Sequence, residues 1–295
     1  MSGEITRVAV VGLGAMGLPM AARLASGGFA VRGFDLREAA RAALAEAGGE
    51  AAASAAEAAE GAEALILMVV NAAQAEAALD AALDPLAPDA LVLLMATCAP
   101  ADAARIGARV AASGRAFLDA PVSGGVKGAQ GGTLTVMAAG EGAAFARALP
   151  LLERLGDKIF HVGERAGQGA MVKTVNQLLC GVHIAACAEA LSLGEKAGLD
   201  RGQLLEILSG SAASSWMLRD RGPRMLEDDP AVASAVDIFV KDLGLVADAG
   251  REARAALPLA AAALQMFLAA SGQGHGGADD SQVLRAYRAL NAPKT

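Results

Sequence analysis

A glycine-rich hexapeptide near the start of the chain has the spacing of a phosphate-binding turn. It follows an apolar, valine-rich run at residues 5–11 and reads Gly12-Leu13-Gly14-Ala15-Met16-Gly17. Gly12 allows a tight turn, Gly14 lets a pyrophosphate approach the backbone, and Gly17 lets the following helix pack closely on the strand. The N-terminus of that helix offers N–H groups to phosphates. The hexapeptide therefore predicts a dinucleotide site, whereas a glycine turn without a nucleotide is the alternative.

An acid follows the second predicted strand at the distance that such a site needs. Asp35 lies 21 residues after Gly14. A carboxylate there accepts hydrogen bonds from the adenosine ribose and repels a 2′-phosphate, so NAD is the expected cofactor. Arg37 leaves the choice between NAD and NADP open, because a neighbouring arginine can hold a 2′-phosphate.

A second segment, residues 119–125, combines an acid, a proline, a serine and two glycines at the end of a predicted strand. Open α/β sheets bind ligands at the carboxyl ends of their strands. The Ser123 hydroxyl and the backbone N–H groups of Ser123, Gly124 and Gly125 are suited to holding a carboxylate. A glycine-rich turn without a ligand is the alternative.

A third segment opens the longest helical pattern, residues 170–197, with a lysine. One helix face collects four residues at spacing i, i+3, i+4 and i+7, namely Lys173, Asn176, Gln177 and Cys180. Burying a lysine is costly unless it is paired or neutral. Proton transfer near pH 7 needs a pKa below the ordinary value of about 10.4, which burial beside a cationic nicotinamide would favour. We therefore expect Lys173 to carry proton transfer, the alternative being a surface lysine that extends into solvent.

A fourth segment places Lys241 and Asp242 among apolar residues in a helical run, residues 237–242. A solvated ion pair is the default interpretation of such neighbours. Thr97 follows a predicted strand and is suited either to a hydrogen bond with a cofactor or to capping the next helix. The three histidines lack metal-ligand spacing, so no metal site is expected.

Alternating strands and helices must position these segments. Strand patterns at residues 5–11, 29–34, 64–70, 90–95 and 116–119 alternate with helical patterns at residues 18–26, 38–47, 72–83 and 101–112. Continuous apolar strands are typical of parallel sheets covered on both faces, and the alternation predicts a doubly wound sheet. Strands at residues 133–139 and 158–162, with a helix at residues 142–155, complete this part.

Strand patterns stop after residue 167. The later helical patterns fall at residues 170–197, 201–209, 236–253, 258–270 and 279–290. The predicted fold class is therefore α/β, with an N-terminal Rossmann doubly wound sheet followed by an all-α C-terminal domain. We expect residues 1–164 to bind NAD, and residues 165–295 to serve the substrate and oligomerisation.

The composition restricts the possible partners. With 54% hydrophobic and 19% charged residues among 295, the chain is too apolar to be disordered. A net charge of −7 without a basic cluster argues against nucleic acid and anionic membranes, and 3% aromatic residues give little base-stacking surface. The three scattered cysteines suggest a reducing cytoplasm rather than disulfides. No membrane span or signal peptide is expected, because the apolar stretches considered are short or interrupted.

Four ordered motifs together resemble those of the β-hydroxyacid dehydrogenases, the family of 3-hydroxyisobutyrate dehydrogenase and tartronate semialdehyde reductase. They are residues 11–17, 119–125, 169–176 and 239–242. The resemblance covers essentially the whole chain. It implies a Rossmann domain and a helical domain joined by a long helix, in a homodimer or homotetramer.

The resemblance also implies individual roles. Lys173 would be the general acid/base and Asn176 would orient the substrate. Ser123, Gly124 and Gly125 would bind the substrate carboxylate. NAD would be held by Gly12, Leu13, Gly14, Ala15, Met16, Gly17, Asp35, Thr97 and Lys241, with Asp242 near Lys241.

Further segments resemble family members that act on L-threonate. They are residues 70–74, 177–186, 215–217, 234–248 and 279–281. This likeness implies oxidation of the C2 hydroxyl of that sugar acid to 2-oxo-tetronate. The alternatives are a related enzyme for 3-hydroxyisobutyrate, glycerate or tartronate semialdehyde, an imine reductase, and a non-catalytic NAD-binding adaptor. The presence of Lys173 argues against the last two, because imine reductases carry another residue there and adaptors can lack it.

Overall fold

Parallel strands form the centre of the first of two units in the computed structural model, which describes residues 4–291. The first unit ends at Lys173 and the second begins at Thr174. The strands are β1 (Arg7–Val11), β2 (Ala30–Phe34), β3 (Glu50–Ala51), β4 (Ala64–Leu67), β5 (Leu91–Leu94), β6 (Ala116–Asp119), β7 (Val122–Ser123), β8 (Leu134–Ala139) and β9 (Gly156–Gly163). Their order is β3-β2-β1-β4-β5-β6-β8-β7, with β9 paired to β8.

Apolar side chains on both faces of the sheet explain why its strands read as continuous apolar runs. The helices of this unit are α1 (Gly17–Ser26), α2 (Glu38–Glu46), α3 (Ala55–Ala59), α4 (Ala72–Ala82), α5 (Pro100–Ala112), α6 (Gly125–Gly131) and α7 (Gly142–Leu155). Successive residues of a strand point to opposite faces. Val8 and Val10 accordingly belong to one buried core, while Ala9 and Val11 belong to another. The predicted doubly wound sheet is confirmed.

The far end of the sheet departs from the all-parallel prediction. β8 runs antiparallel to β6 and β7. Only a short strand and the seven-residue α6 connect β6 to β8. The strand β7 within this connection itself pairs antiparallel with β8, so the chain folds back beside the strand that it has just left.

The described part of the second unit contains helices and loops and, apart from an isolated β-bridge between Ala235 and Asp279, no strand, as predicted. Its helices are α8 (Gln168–Lys196), which begins in the first unit, α9 (Arg201–Gly210), α10 (Trp216–Met225), α11 (Val236–Ala253), α12 (Pro258–Ala270) and α13 (Leu284–Asn291), with a π-helix (Ser271–His275) and a 3-10 helix (Asp280–Val283). Its core buries Ile184, Leu191, Phe239 and Phe267. The domain boundary after residue 164 stays a prediction.

The long helix α8 meets the length and hydropathy expected of a membrane-spanning helix, and no other described helix does. The expectation that no membrane span is present rested on other apolar stretches and did not include this helix. In the protein, 56% of its most apolar 18-residue window is buried. Core helices of soluble proteins share these properties, so this is weak support for a membrane span.

Candidate functional site

The glycine turn after β1 has two positions that only glycine fits. Gly12 has a φ of +95°, and a Cβ added there would lie 2.3 Å from the Met68 carbonyl oxygen. A Cβ added at Gly17 would lie 1.9 Å from the Gly12 carbonyl oxygen. Glycine at these two positions therefore lets the start of α1 pack closely against the turn, and the turn pack closely against the segment after β4.

Gly14 differs, because packing within the protein does not demand glycine there. A Cβ at this position would meet only the Arg37 guanidinium, at 3.9 Å. The space in front of Gly14 is therefore open, as a position approached by a pyrophosphate requires. α1 starts just beyond it with an apolar N-cap residue, Met16. The turn thus fits a dinucleotide phosphate, which its backbone N–H groups would hold.

Asp35 and Arg37 lock the turn from the end of β2. Asp35 Oδ2 accepts from the Leu13 N–H at 2.9 Å, and Oδ1 accepts from the Arg37 N–H at 2.9 Å and Nε at 3.1 Å. Burial opposes ionisation of Asp35, but the hydrogen bonds from Arg37 and Leu13 outweigh it and lower the pKa of the carboxyl below 3.8. The guanidinium is therefore already paired with an ionised carboxylate.

Thr97 and the Ser123 turn follow the ends of β5 and β6. Because β1, β2, β4, β5 and β6 are parallel, these ends share one sheet edge with the glycine turn. α5 takes Ala99 as its N-cap, two residues after Thr97. Ser123 ends β7, and Gly124 is the N-cap of α6.

Asp119 anchors the first turn of α8 to the end of β6. It is 1% exposed, and its Oδ2 accepts from the backbone N–H groups of Gly167 and Ala170, both at 2.9 Å. Among the described residues, its Oδ1 has no hydrogen-bond partner. Burial raises the pKa of Asp119 to about 6, against the effect of these backbone donors.

Lys173 follows this anchor in the first turns of α8. Lys173 is only 7% exposed, whereas Val172 before it and Val175 after it are 38% and 56% exposed. The surface-lysine interpretation is therefore wrong. Further along the same helix face, Cys180 and Ile184 are buried as the apolar stripe predicts.

In the second unit, four polar side chains form a continuous chain from α8 to α11. Asn176 Nδ2 donates to Gln177 Oε1 at 3.0 Å, and Gln177 Nε2 donates to Asp242 Oδ2 at 2.5 Å. Lys241 Nζ lies 2.6 Å from Asp242 Oδ1. Asp242 is 2% exposed, so the pair is not the solvated one that neighbouring charges suggest by default.

Two groups of candidate residues are thus assembled. The first unit collects the glycine turn, Asp35, Thr97, the Ser123 turn and Lys173, whereas the second unit collects Asn176 and Lys241. No role was assigned from the sequence to Asp119 or to the bond between Gln177 and Asp242. The sequence feature that could have indicated the role of Asp119 is its position as an acidic residue at the end of an apolar strand. The bond between Gln177 and Asp242 could not be predicted from the sequence, because 65 positions separate the two residues.

Comparisons with known proteins cover nearly the whole chain. Residues 7–163 match the family described as the NAD binding domain of 6-phosphogluconate dehydrogenase. Residues 167–287 match the family described as NAD-binding of NADP-dependent 3-hydroxyisobutyrate dehydrogenase.

Individual relatives match end to end. L-threonate dehydrogenase of Cupriavidus necator is 44% identical over 289 residues, 97% of each chain. 3-Hydroxyisobutyrate dehydrogenase of Pseudomonas aeruginosa is 38% identical over 96% of this chain and 99% of its own. A crystal structure described as 3-hydroxyisobutyrate dehydrogenase from Salmonella typhimurium is 42% identical with a TM-score of 0.90, covering 94% of this chain and 98% of that one.

Proposed function

The chain belongs to the 3-hydroxyisobutyrate dehydrogenase family of hydroxyacid dehydrogenases, and on this premise we propose that it oxidises the C2 hydroxyl of L-threonate to 2-oxo-tetronate with NAD. The observation that carries the substrate is the 44% identity to an L-threonate dehydrogenase along 97% of both chains. Lys173, buried where the family motif places its lysine, supports the chemistry.

In this proposal Lys173 is the general acid/base. Its Nζ accepts the proton of the C2 hydroxyl as a hydride leaves the same carbon, which turns the alcohol into a carbonyl. A bound nicotinamide supplies the hydride acceptor. In the reverse direction the same ammonium returns the proton to the carbonyl oxygen.

The substrate carboxylate is held by the Ser123 turn in this proposal. The Ser123 hydroxyl and the N–H groups of Gly124 and Gly125 donate hydrogen bonds to it, while Asn176 orients the rest of the molecule. Such contacts hold the reacting carbon in one geometry, which lowers the entropic part of the barrier.

The open space at Gly14 and the lowered pKa of Asp35 support a dinucleotide at the glycine turn. NAD is assigned to Gly12, Leu13, Gly14, Ala15, Met16, Gly17, Asp35, Thr97 and Lys241. An ionised Asp35 accepts from ribose hydroxyls and repels a 2′-phosphate. Its pairing with Arg37 lowers the availability of that guanidinium for NADP.

The wider setting is also part of the proposal. We place the enzyme in the cytoplasm as a homodimer or homotetramer, with residues 1–164 binding NAD and residues 165–295 serving substrate and assembly. Exposed apolar side chains along α8 support assembly.

A substrate panel tests the proposal. Purified enzyme is mixed with NAD and with L-threonate, D-threonate, 3-hydroxyisobutyrate or glycerate, and NADH formation is followed by absorbance. We expect the highest kcat/KM for L-threonate. Activity confined to 3-hydroxyisobutyrate would instead support the second candidate, which the relatives of that name favour, and no NADH with any acid would contradict a dehydrogenase.

A further inference from the structure

The amide of Asn176 has a fixed polarity that is set from α11. Asp242 is buried and paired with Lys241 at 2.6 Å. A carboxylate can only accept hydrogen bonds. Gln177 must therefore turn its NH₂ group toward Asp242, where Nε2 lies 2.5 Å from Oδ2, and this leaves its Oε1 as an acceptor.

The next amide inherits this direction. Asn176 donates Nδ2 to Gln177 Oε1 at 3.0 Å, and the same nitrogen lies 3.3 Å from Cys180 Sγ. An amide nitrogen has two hydrogens, so both are assigned within α8. Asn176 is left to offer its carbonyl oxygen, Oδ1, to a ligand.

We propose that Gln177 and Asp242 are positioning residues that make Asn176 an obligate acceptor, which selects acids carrying a hydroxyl on the carbon next to the reacting one. This inference rests on the proposed function, in which the proton of the reacting hydroxyl goes to Lys173. Asn176 follows Lys173 by one helical turn, on the same face of α8. The neighbouring carbon is therefore the one whose hydroxyl donates to Oδ1.

The matched substrate pair is L-threonate and 2,4-dihydroxybutanoate, which lacks only the hydroxyl at C3. Wild-type enzyme is expected to prefer L-threonate by about tenfold in kcat/KM, the effect of one hydrogen bond to the half-buried Asn176 acceptor. An acid with a methyl branch in place of that hydroxyl leaves Oδ1 without a donor and is disfavoured in the same way.

Two single variants break the polarity in different ways. Gln177→Met removes both hydrogen bonds at similar side-chain length. In Asp242→Asn the new amide oxygen faces the Lys241 ammonium and its NH₂ faces Gln177, so both following amides reverse and Asn176 presents Nδ2. In each variant we expect the preference for L-threonate to fall about tenfold, through KM for that acid, with KM for NAD nearly unchanged in Gln177→Met.

The double variant Gln177→Glu/Asp242→Asn restores the original direction. The carboxylate introduced at position 177 would accept from the new amide with one oxygen and from Asn176 with the other, while the net charge stays that of the wild type. We expect its preference for L-threonate to return to within about threefold of the wild-type value. A purely structural role for these side chains predicts no such rescue.

The outcomes separate the two levels of the proposal. Wild-type enzyme without activity on L-threonate overturns the proposed function, and this inference with it. An active wild type whose substrate preference survives in Gln177→Met and Asp242→Asn, or is not restored in the double variant, overturns this inference alone. Gln203→Met, at an exposed position on α9, is the matched control. Melting temperatures show which variants fold. If one single variant does not fold, the comparison of the other single variant with the double variant decides.

Discussion

At the scale of single residues, the sequence indicates a polar contact when the two partners are close in the chain, but not when they are far apart. Asp35 and Arg37 are two positions apart, and the sequence showed that the first favours NAD whereas the second would accommodate NADP. The structure gives the resolution, because the carboxylate binds both the guanidinium and the Leu13 N–H. The buried pair of Gln177 and Asp242 was not readable, since 65 positions separate its members.

Asp35→Asn is expected to relax the choice of cofactor. The amide keeps an acceptor for the Leu13 N–H but loses the charge that repels a 2′-phosphate and pairs with Arg37. We expect the ratio of kcat/KM for NADP to that for NAD to rise at least about tenfold, measured with saturating substrate.

The double variant Asp35→Asn/Arg37→Ala is the control, and it should lose most of that gain because the guanidinium is removed. An unchanged cofactor ratio in Asp35→Asn would contradict the role given to this carboxylate.

At the scale of elements, the apolar runs located β1, β4 and β5, because burial on both faces of a strand leaves a local signal. The predicted bounds of β5 differ by one residue at each end, whereas β1 begins two residues later and β4 ends three residues earlier than predicted. The helical pattern at residues 236–253 matches α11 at both ends. α10 was missed for a physical reason. Its sequence has few apolar residues, and two buried ion pairs, from Arg221 to Asp280 and from Arg224 to Asp279, hold it to a segment more than 50 positions away. The alanine-rich residues 51–62 were expected to form helix and surface loop, which α3 agrees with, but the two-residue strand β3 at Glu50–Ala51 was missed.

The anchor of α8 makes a prediction about pH. The pKa of Asp119 in the folded protein, about 6, lies above its ordinary 3.8, so the folded state binds this proton more tightly than the unfolded state. The resulting stability is complete below pH 3.8 and is lost as pH rises through 6. Between about pH 4.5 and 7.5 it amounts to about 2 kcal/mol of unfolding free energy.

Asp119→Asn removes this titration while its amide oxygen still accepts from the first turn of α8. The unfolding free energy of the variant minus that of the wild type should therefore rise by about 2 kcal/mol over the same interval. Urea unfolding at four pH values measures it, and a difference that stays constant with pH would refute the assignment.

At the scale of the whole molecule, full-length motif order allowed the family to be identified from the sequence, and the relatives confirm it. A surface suited to subunit assembly became visible only from the exposure of side chains in the structure. Met171, Val175 and Leu179 recur every fourth residue on α8 and are 40%, 56% and 50% exposed. Such a row on one helix face is typical of an interface between subunits.

Val175→Glu/Leu179→Glu is expected to dissociate the oligomer, because two carboxylates would be buried in the interface. Light scattering after size exclusion should give a multiple of 29.4 kDa for the wild type and a smaller mass for the variant. Gln203→Glu, which adds charge at an exposed site, should leave the mass unchanged. A monomeric wild type at micromolar concentration would contradict the proposed assembly.

The most direct test of the central claim is the turnover of Lys173→Ala beside its affinity for NADH. We predict that kcat on L-threonate falls by about 10³-fold, the usual contribution of a general acid/base, while NADH binding, followed by fluorescence, stays within about threefold. Lys158→Ala, an exposed lysine on β9, should behave as the wild type. Near-normal turnover in Lys173→Ala would contradict the account.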